Sequence, residues 1–219
     1  MATATDNFDS YSDGDLNTNN GGSGFSAAWS GSTSFDVQGT TTQSGAKAVQ
    51  IASSENGEVT IDRSLTTPFT SGTLSVYLRR TGGNNWRDGA YVILRDNSAD
   101  VAGFYLHVTN TSTGAVGATL YSGGTTDVFE NGTLSADTWH LFEAEFDCDT
   151  DEIRARVDGG AWSSWLSFAS AATDIDQIRF FKGNINGGTH NVTTDHYWDQ
   201  LNITNEAGGV TFLPKVMVY

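Results

Sequence analysis

The sequence predicts an all-β fold, an antiparallel two-sheet sandwich or barrel. Three observations predict it. Apolar residues recur with period two in short runs. Turn formers part the runs: 25 glycines, with Ser, Thr, Asn and Asp between them. Helical signals are scarce, and the turns return every eight to twelve residues or so, the rhythm of short antiparallel strands.

Taken in order, residues 14–24 and 38–46 read as Gly/Asn/Ser-rich loops. Leu74, Val76 and Leu78 then share one strand face, with Tyr77 and Arg79 on the other. Phe104, Leu106 and Val108 share a face, opposite Tyr105 and His107. Residues 136–146 are ambiguous, because Trp139, Phe142 and Phe146 also fit helical spacing. The next segment favours a strand. Ile153, Ala155 and Val157 alternate with Arg154 and Arg156. A tight turn at Asp149-Thr150 would set Glu145 opposite Arg154 and Glu143 opposite Arg156. Such cross-strand pairs stabilise by about 0.2–1 kcal/mol each. A helix leaves both arginines without a reason. Ile178 and Phe180 mark a further strand.

Residues 1–206 read as one domain. After Ala207-Gly208-Gly209 comes Val210–Tyr219, apolar and with a single charged side chain. Left exposed, a segment of this β-propensity is an aggregation hazard. Residues 207–219 are therefore expected to form an arm that adds as a last strand or docks on a partner, through Phe212, Leu213, Val216, Val218 and Tyr219.

Charge narrows the function. There are 26 Asp+Glu against 11 Lys+Arg, a net charge of -15, yet charged residues make up only 17%. The acidity is a shortage of bases. Such a surface repels phosphate backbones and anionic lipid, so neither nucleic acid nor membrane is expected as a partner. The single cysteine, Cys148, excludes an internal disulfide. The first residues show no basic start and no apolar core of a signal peptide.

Three pieces resemble the concanavalin A-like, or laminin-G-like, jelly-roll sandwiches. They are Asp6-Asn7-Phe8-Asp9 through Leu16 with Trp29; Thr138-Trp139-His140 through Val157-Asp158-Gly159-Gly160 to Asp174–Phe180; and Tyr197-Trp198-Asp199-Gln200-Leu201-Asn202-Ile203. The resemblance implies a jelly roll and leaves function open, since such folds host lectins, glycosidases, adhesion domains and virus-particle proteins. Without a signal peptide, the chain looks similar to the free-standing sandwiches of tailed-phage particles. That implies a non-catalytic decoration or tail-associated protein, made in the host cytoplasm and carried in the virion. It implies a homo-oligomer docked to a shell or tail protein through its arm, with a cell-surface glycan as a further partner. The alternatives are a lectin-like carbohydrate-binding module of an extracellular system and a laminarinase-type glycoside hydrolase.

The residues offer candidates for each. Glu143, Glu145 and Asp147 line one strand face at about 6.6–7 Å per step. Laminarinase-type enzymes use such a row as nucleophile, modulating acid and acid/base. Here the middle residue is Glu and the last is Asp, and arginine partners would hold both glutamates ionised. The plainer reading is a salt-paired outer face. For glycan binding, Trp86 and Arg87 stand in a loop rich in Gly and Asn, and Tyr105 and His107 share a strand face. Half-exposed strand aromatics are also ordinary.

Calcium (Ca2+) is the one cofactor expected. The resemblance implies an ion shared by the first and last strands, with Asp6 or Asp9 and Asp199 as ligands. Asp147, Asp149 and Asp151 form a secondary candidate. Their spacing departs from an EF-hand, with Glu152 at its sixth position and Asp158 at its twelfth. A solvated acidic turn is the plainer reading there.

Overall fold

In the computed structural model, residues 2–52, 57–82, 89–110, 115–122, 127–183 and 194–205 are described. The expected arm over 207–219 and the loop residues Trp86 and Arg87 lie outside them. Among the described residues there are sixteen strands and no helix.

The first eight strands are β1 (Thr3–Asp6), β2 (Gly14–Asp15), β3 (Ser30–Gly31), β4 (Asp36–Gln38), β5 (Ala48–Ile51), β6 (Val59–Phe69), β7 (Ser71–Arg80) and β8 (Gly89–Asp96). The rest are β9 (Ala99–Asn110), β10 (Ala115–Tyr121), β11 (Asp127–Leu134), β12 (His140–Asp147), β13 (Glu152–Val157), β14 (Leu166–Ser167), β15 (Ile175–Gly183) and β16 (His196–Thr204). A nine-stranded sheet runs β14-β13-β12-β7-β16-β5-β4-β2, with β1 also paired to β16. A seven-stranded sheet runs β11-β10-β9-β8-β15-β6-β3. All pairings are antiparallel, and neighbours in space are often distant in sequence.

Alternation places the core. Leu74, Val76 and Leu78 point inward from one sheet, and Phe104 and Leu106 from the other. At the centre Phe180 stacks on Trp198 at 5.5 Å and meets Trp29 at 4.8 Å. Full burial of side chains this large stabilises the fold by about 1.5–3 kcal/mol each. Their polar tips are satisfied, since Trp198 Nε1 donates to the Tyr91 carbonyl at 3.1 Å.

The ambiguous stretch is strand. β12 pairs β13 with Glu143 opposite Arg156 and Glu145 opposite Arg154, the expected register. The ladder nevertheless stops one pair early, at Asp147–Glu152, so residues 148–151 form the turn. Local hydrogen bonds explain the difference. The Asp149 N–H donates to Asp147 Oδ1, and the Cys148 N–H leaves the ladder for the Thr70 carbonyl. Asp151, at φ 54°, accepts from Phe168 and Ala172.

Candidate functional site

The outer face of the seven-stranded sheet carries side chains unlike an ordinary solvated surface. Its register aligns two rows. One runs Thr119, Tyr105, Tyr91, Phe181, Thr60 across β10, β9, β8, β15 and β6. The next runs Tyr121, Gly103, Ile93, Arg179, Asp62. Tyr91, Ile93, Tyr105 and Phe181 form a second apolar cluster, separate from the core, with Tyr121 packed on it. Tyr91 stacks on Tyr105 at 4.3 Å and meets Phe181 at 4.9 Å. β8 is buried along its whole length because the core covers one face and this cluster the other.

Beside the aromatics lies a closed ring of charge. Arg179 Nε and Nη2 donate to the two oxygens of Asp62 at 2.7 and 3.0 Å, and Nη1 reaches Asp100 Oδ1 at 3.1 Å. Arg95 Nε donates to Asp100 Oδ1 at 2.7 Å and its Nη1 to Asp62 Oδ2 at 3.1 Å. Each arginine thus holds both aspartates. Arg95 also donates to Gln177 Oε1 and the Ser98 carbonyl, which fixes its plane. Charge-assisted bonds of this kind are short and directional, so the ring is preorganised.

A groove of about 390 Å³ opens between ring and aromatics, lined by Glu58, Thr60, Ile93, Asp100, Tyr121, Arg179 and Phe181. Gly103 stands between Tyr121 and Ile93 in its row and adds no side chain there. A Cβ at Gly103 would sit 2.2 Å from the Val92 carbonyl oxygen, so the backbone demands glycine. The chemistry on offer is an apolar aromatic wall beside fixed hydrogen-bonding groups.

Tyr105 belongs to this face, and His107 meets its ring at 4.8 Å. Tyr105 is buried, and burial raises its phenol. His107 Nε2 bonds Thr119 Oγ1 at 2.7 Å and its Nδ1 lies 3.0 Å from the Val108 carbonyl. Burial lowers its pKa to about 4, with Arg80 adding to the effect, so the ring is neutral at pH 7. Tyr77 and Arg79 lie on the other sheet and do not join them.

The outer face of the nine-stranded sheet holds the carboxylate row. Glu143 accepts from Arg156 Nε and Nη2 at 2.7 and 2.8 Å, and Glu145 from Arg154 Nε at 2.6 Å. Trp162 and Trp165 cover the guanidinium groups, at 5.0 and 4.7 Å from Arg154, and Trp162 lies 4.5 Å from Arg156. Asp147 accepts the Asp149 amide at 2.8 Å. The arrangement is a salt-paired face with an aromatic cover. Cys148 is buried beside it, and burial together with Asp147 and Asp151 pushes its thiol up to about 12, which removes it as a nucleophile.

The residues proposed for calcium do not converge as an oxygen cage. Asp6 is buried and held by Arg63, by Tyr11 Oη at 2.6 Å, by Trp29 Nε1 at 3.0 Å and by the Phe8 amide at 3.0 Å. Asp9 Oδ1 accepts the Ala46 and Lys47 amides at 2.6 and 2.9 Å. Asp199 accepts the Gln43 amide at 2.9 Å and the Gln200 amide at 2.8 Å. Backbone N–H groups of the 43–47 loop therefore stand where a cation would need oxygens. Burial pushes the Asp199 carboxyl up to about 6, with the Asp9 charge adding to it against those amide bonds. Of the secondary set, Asp151 Oδ1 accepts the Ala172 amide at 2.9 Å. Among the described residues, no group of three or more His, Cys, Asp or Glu is placed to hold a metal ion. Asp6 anchors Arg63 in the core.

Sequence reading missed Asp62, Arg95, Asp100, Tyr121, Arg179 and Phe181. One signal was available. With Ile178 and Phe180 inward, period two forces Arg179 and Phe181 outward, and an outward Phe needs cover or a ligand.

No family model matches the chain, and no curated protein sequence does. Solved structures do. A sialidase superposes with a TM-score of 0.58 at 12% identity, over 81% of this chain and 17% of that one. A β-glucanase of Bacillus licheniformis gives 0.53 at 12% identity, over 90% of this chain and all of that one. The binding domain of botulinum neurotoxin serotype C1 gives 0.54 at 11% identity, over 94% of this chain and 49% of that one. This chain thus spans a small part of the sialidase and about half of the toxin chain. At such identities the likeness shows the fold alone, an antiparallel two-sheet jelly-roll sandwich.

Proposed function

We propose that this protein is a non-catalytic glycan binder whose site is the groove on the seven-stranded sheet. One observation carries the reading: Phe181 and Tyr121 line the same 390 Å³ groove as Arg179 and Asp100. A pyranose presents an apolar ring face and a rim of hydroxyls, and this groove offers a complement to both. Two of the similar structures, the sialidase and the β-glucanase, bear names that refer to sugars. Binding rather than hydrolysis is supported by the wiring of the acids. Asp62 and Asp100 are each held by two arginines, and Glu143 and Glu145 are each paired to one. Glycosidases need a carboxyl pair flanking the scissile bond, and the acids here are tied to arginines instead.

A glycan array tests the reading. The wild type is expected to bind, and Tyr121→Ala or Phe181→Ala to weaken binding about tenfold, the size of a lost aromatic contact. Trp165→Ala, on the other sheet, is expected to leave it unchanged. A wild type that binds no glycan, or a loss confined to Trp165→Ala, overturns the assignment.

The setting we favour is a decoration or tail-associated adhesion protein of a phage particle. What supports it is the nearly uncharged composition of residues 210–219, set against a chain of net charge -15. Truncation after Gly209 is expected to abolish incorporation into the assembly while glycan binding persists. Unchanged incorporation would sink the particle role and leave the binder intact.

A further inference from the structure

Resting on the glycan reading, we infer that Arg95, which lies off the groove wall, is the positioning residue that presents Asp100 to a sugar hydroxyl.

Alternation along β9 would not by itself bring Asp100 to the outer face. Gly103 stands in an outer row, so Ala102 points inward, and Asp100, two residues earlier, should do the same. The ladder with β8 shifts register here. Leu94 faces Ala102 and Arg95 faces Asp100, so Val101 is an extra residue in the strand. Val101 and Ala102 both belong to the core. Asp100 is thereby turned outward, opposite Arg95 and one pair from the Asn97-Ser98 turn. Chain near a turn is among the more mobile parts of a fold, so a carboxylate there is fixed only if something holds it.

Arg95 is placed to hold it. Its Nε donates to Asp100 Oδ1 at 2.7 Å, its Nη1 to Asp62 and Gln177, and its Nη2 to the Ser98 carbonyl. One guanidinium thus ties the hairpin tip to β6, β9 and β15. Arg179 Nη1 adds a bond to the same Asp100 Oδ1 at 3.1 Å, whereas Oδ2 receives only a 3.4 Å contact from that nitrogen. Oδ2 keeps acceptor positions for a hydroxyl on the ligand. Exposure divides the roles. Asp100, at 31% side-chain exposure, lines the groove; Arg95, at 7%, does not. Arg95 therefore acts on a bound sugar through Asp100, by fixing the acceptor before the sugar arrives. An acceptor ordered in advance is not ordered at the expense of binding.

An array of β-gluco-, galacto- and lacto-oligosaccharides supplies the probe. It is the member that the intact wild-type chain binds most tightly, and calorimetry measures its affinity. Arg95→Lys keeps the charge and loses the planar fork; it is expected to weaken binding about fivefold, the scale of one side chain's ordering cost. Gln177→Ala removes only a brace of Arg95 and is expected to weaken binding about twofold. Asp100→Ala removes the acceptor and is expected to weaken binding at least about tenfold. In that background neither Arg95→Lys nor Gln177→Ala should weaken it further, a silence that general damage to the fold would not give. Should Arg95→Lys fail to fold, Gln177→Ala carries the same comparison. Full affinity in the folded brace variants overturns the positioning role, and so does an equal loss with and without Asp100. Either result leaves the glycan reading standing. An array on which the wild type binds nothing defeats that reading, and the positioning role with it.

Discussion

Both outer faces of the sandwich carry arginines paired with acids, wired differently. On the nine-stranded sheet the pairs are separate rungs, Glu143 to Arg156 and Glu145 to Arg154. Both arginines stay 30% exposed under Trp162 and Trp165. On the seven-stranded sheet each arginine touches both acids, and Arg95 is 7% exposed. Rungs can break one at a time. A ring transmits the loss of one member to the other three. Charge count therefore says little about a surface; connection and burial decide whether it is a solvated face or a rigid wall.

Removing one arginine from each face should separate the two most. Arg95→Met leaves Asp62 and Asp100 facing each other across Arg179 alone, in a partly buried setting. Removing one partner of a buried pair costs about 3–5 kcal/mol, and the exposure of the two aspartates reduces this to about 2–3 kcal/mol. Arg154→Met removes a surface rung and keeps its aliphatic stem against the tryptophans, so its cost is under about 1 kcal/mol. Urea unfolding of both variants measures the contrast. Equal losses would show that the ring is no more than two ordinary surface pairs.

Legibility follows the same division. The rungs were readable because β12 and β13 form a hairpin, where alternation and a short turn fix the register. Even the longer turn left that register intact, since moving its boundary by one pair keeps the same residues opposite. The ring was not readable. Its members come from β6, β8, β9 and β15, and β15 pairs with both β6 and β8 across more than eighty positions of chain. No local pattern announces which distant strands become neighbours. The closing motif around Asp199 was legible as a strand, but not the loop that meets it. Gln200, at φ 54°, sits within the irregularity in the β16–β7 ladder, and loop amides close on the Asp199 carboxylate. The partner of Asp6 was not legible either. Nothing near it in sequence says that Arg63 will meet it in the core.

Acid has a smaller effect, and it falls on the seven-stranded face, where His107 lies. Its folded pKa, about 4, lies below the ordinary 6.5 because the neutral ring is buried. The unfolded chain therefore binds the proton first as pH falls. Stability from this group is complete above about pH 6.5 and is lost progressively toward pH 4. His196, buried and also lowered, acts in the same direction, while Asp199, raised to about 6, acts in the opposite one. Asp36 and Asp174, also raised, add to the latter, and a single pH scan mixes them all, so the variant supplies the difference. His107→Gln keeps a polar side chain opposite Thr119 and cannot titrate. Between pH 7 and pH 4.5 the wild type is expected to lose more unfolding free energy than His107→Gln. The excess should be on the order of 1–2 kcal/mol, allowing for partial contact with water. Parallel losses in the two proteins would mean that His107 is protonated as readily in the fold as outside it, and that the aromatic face is open to water.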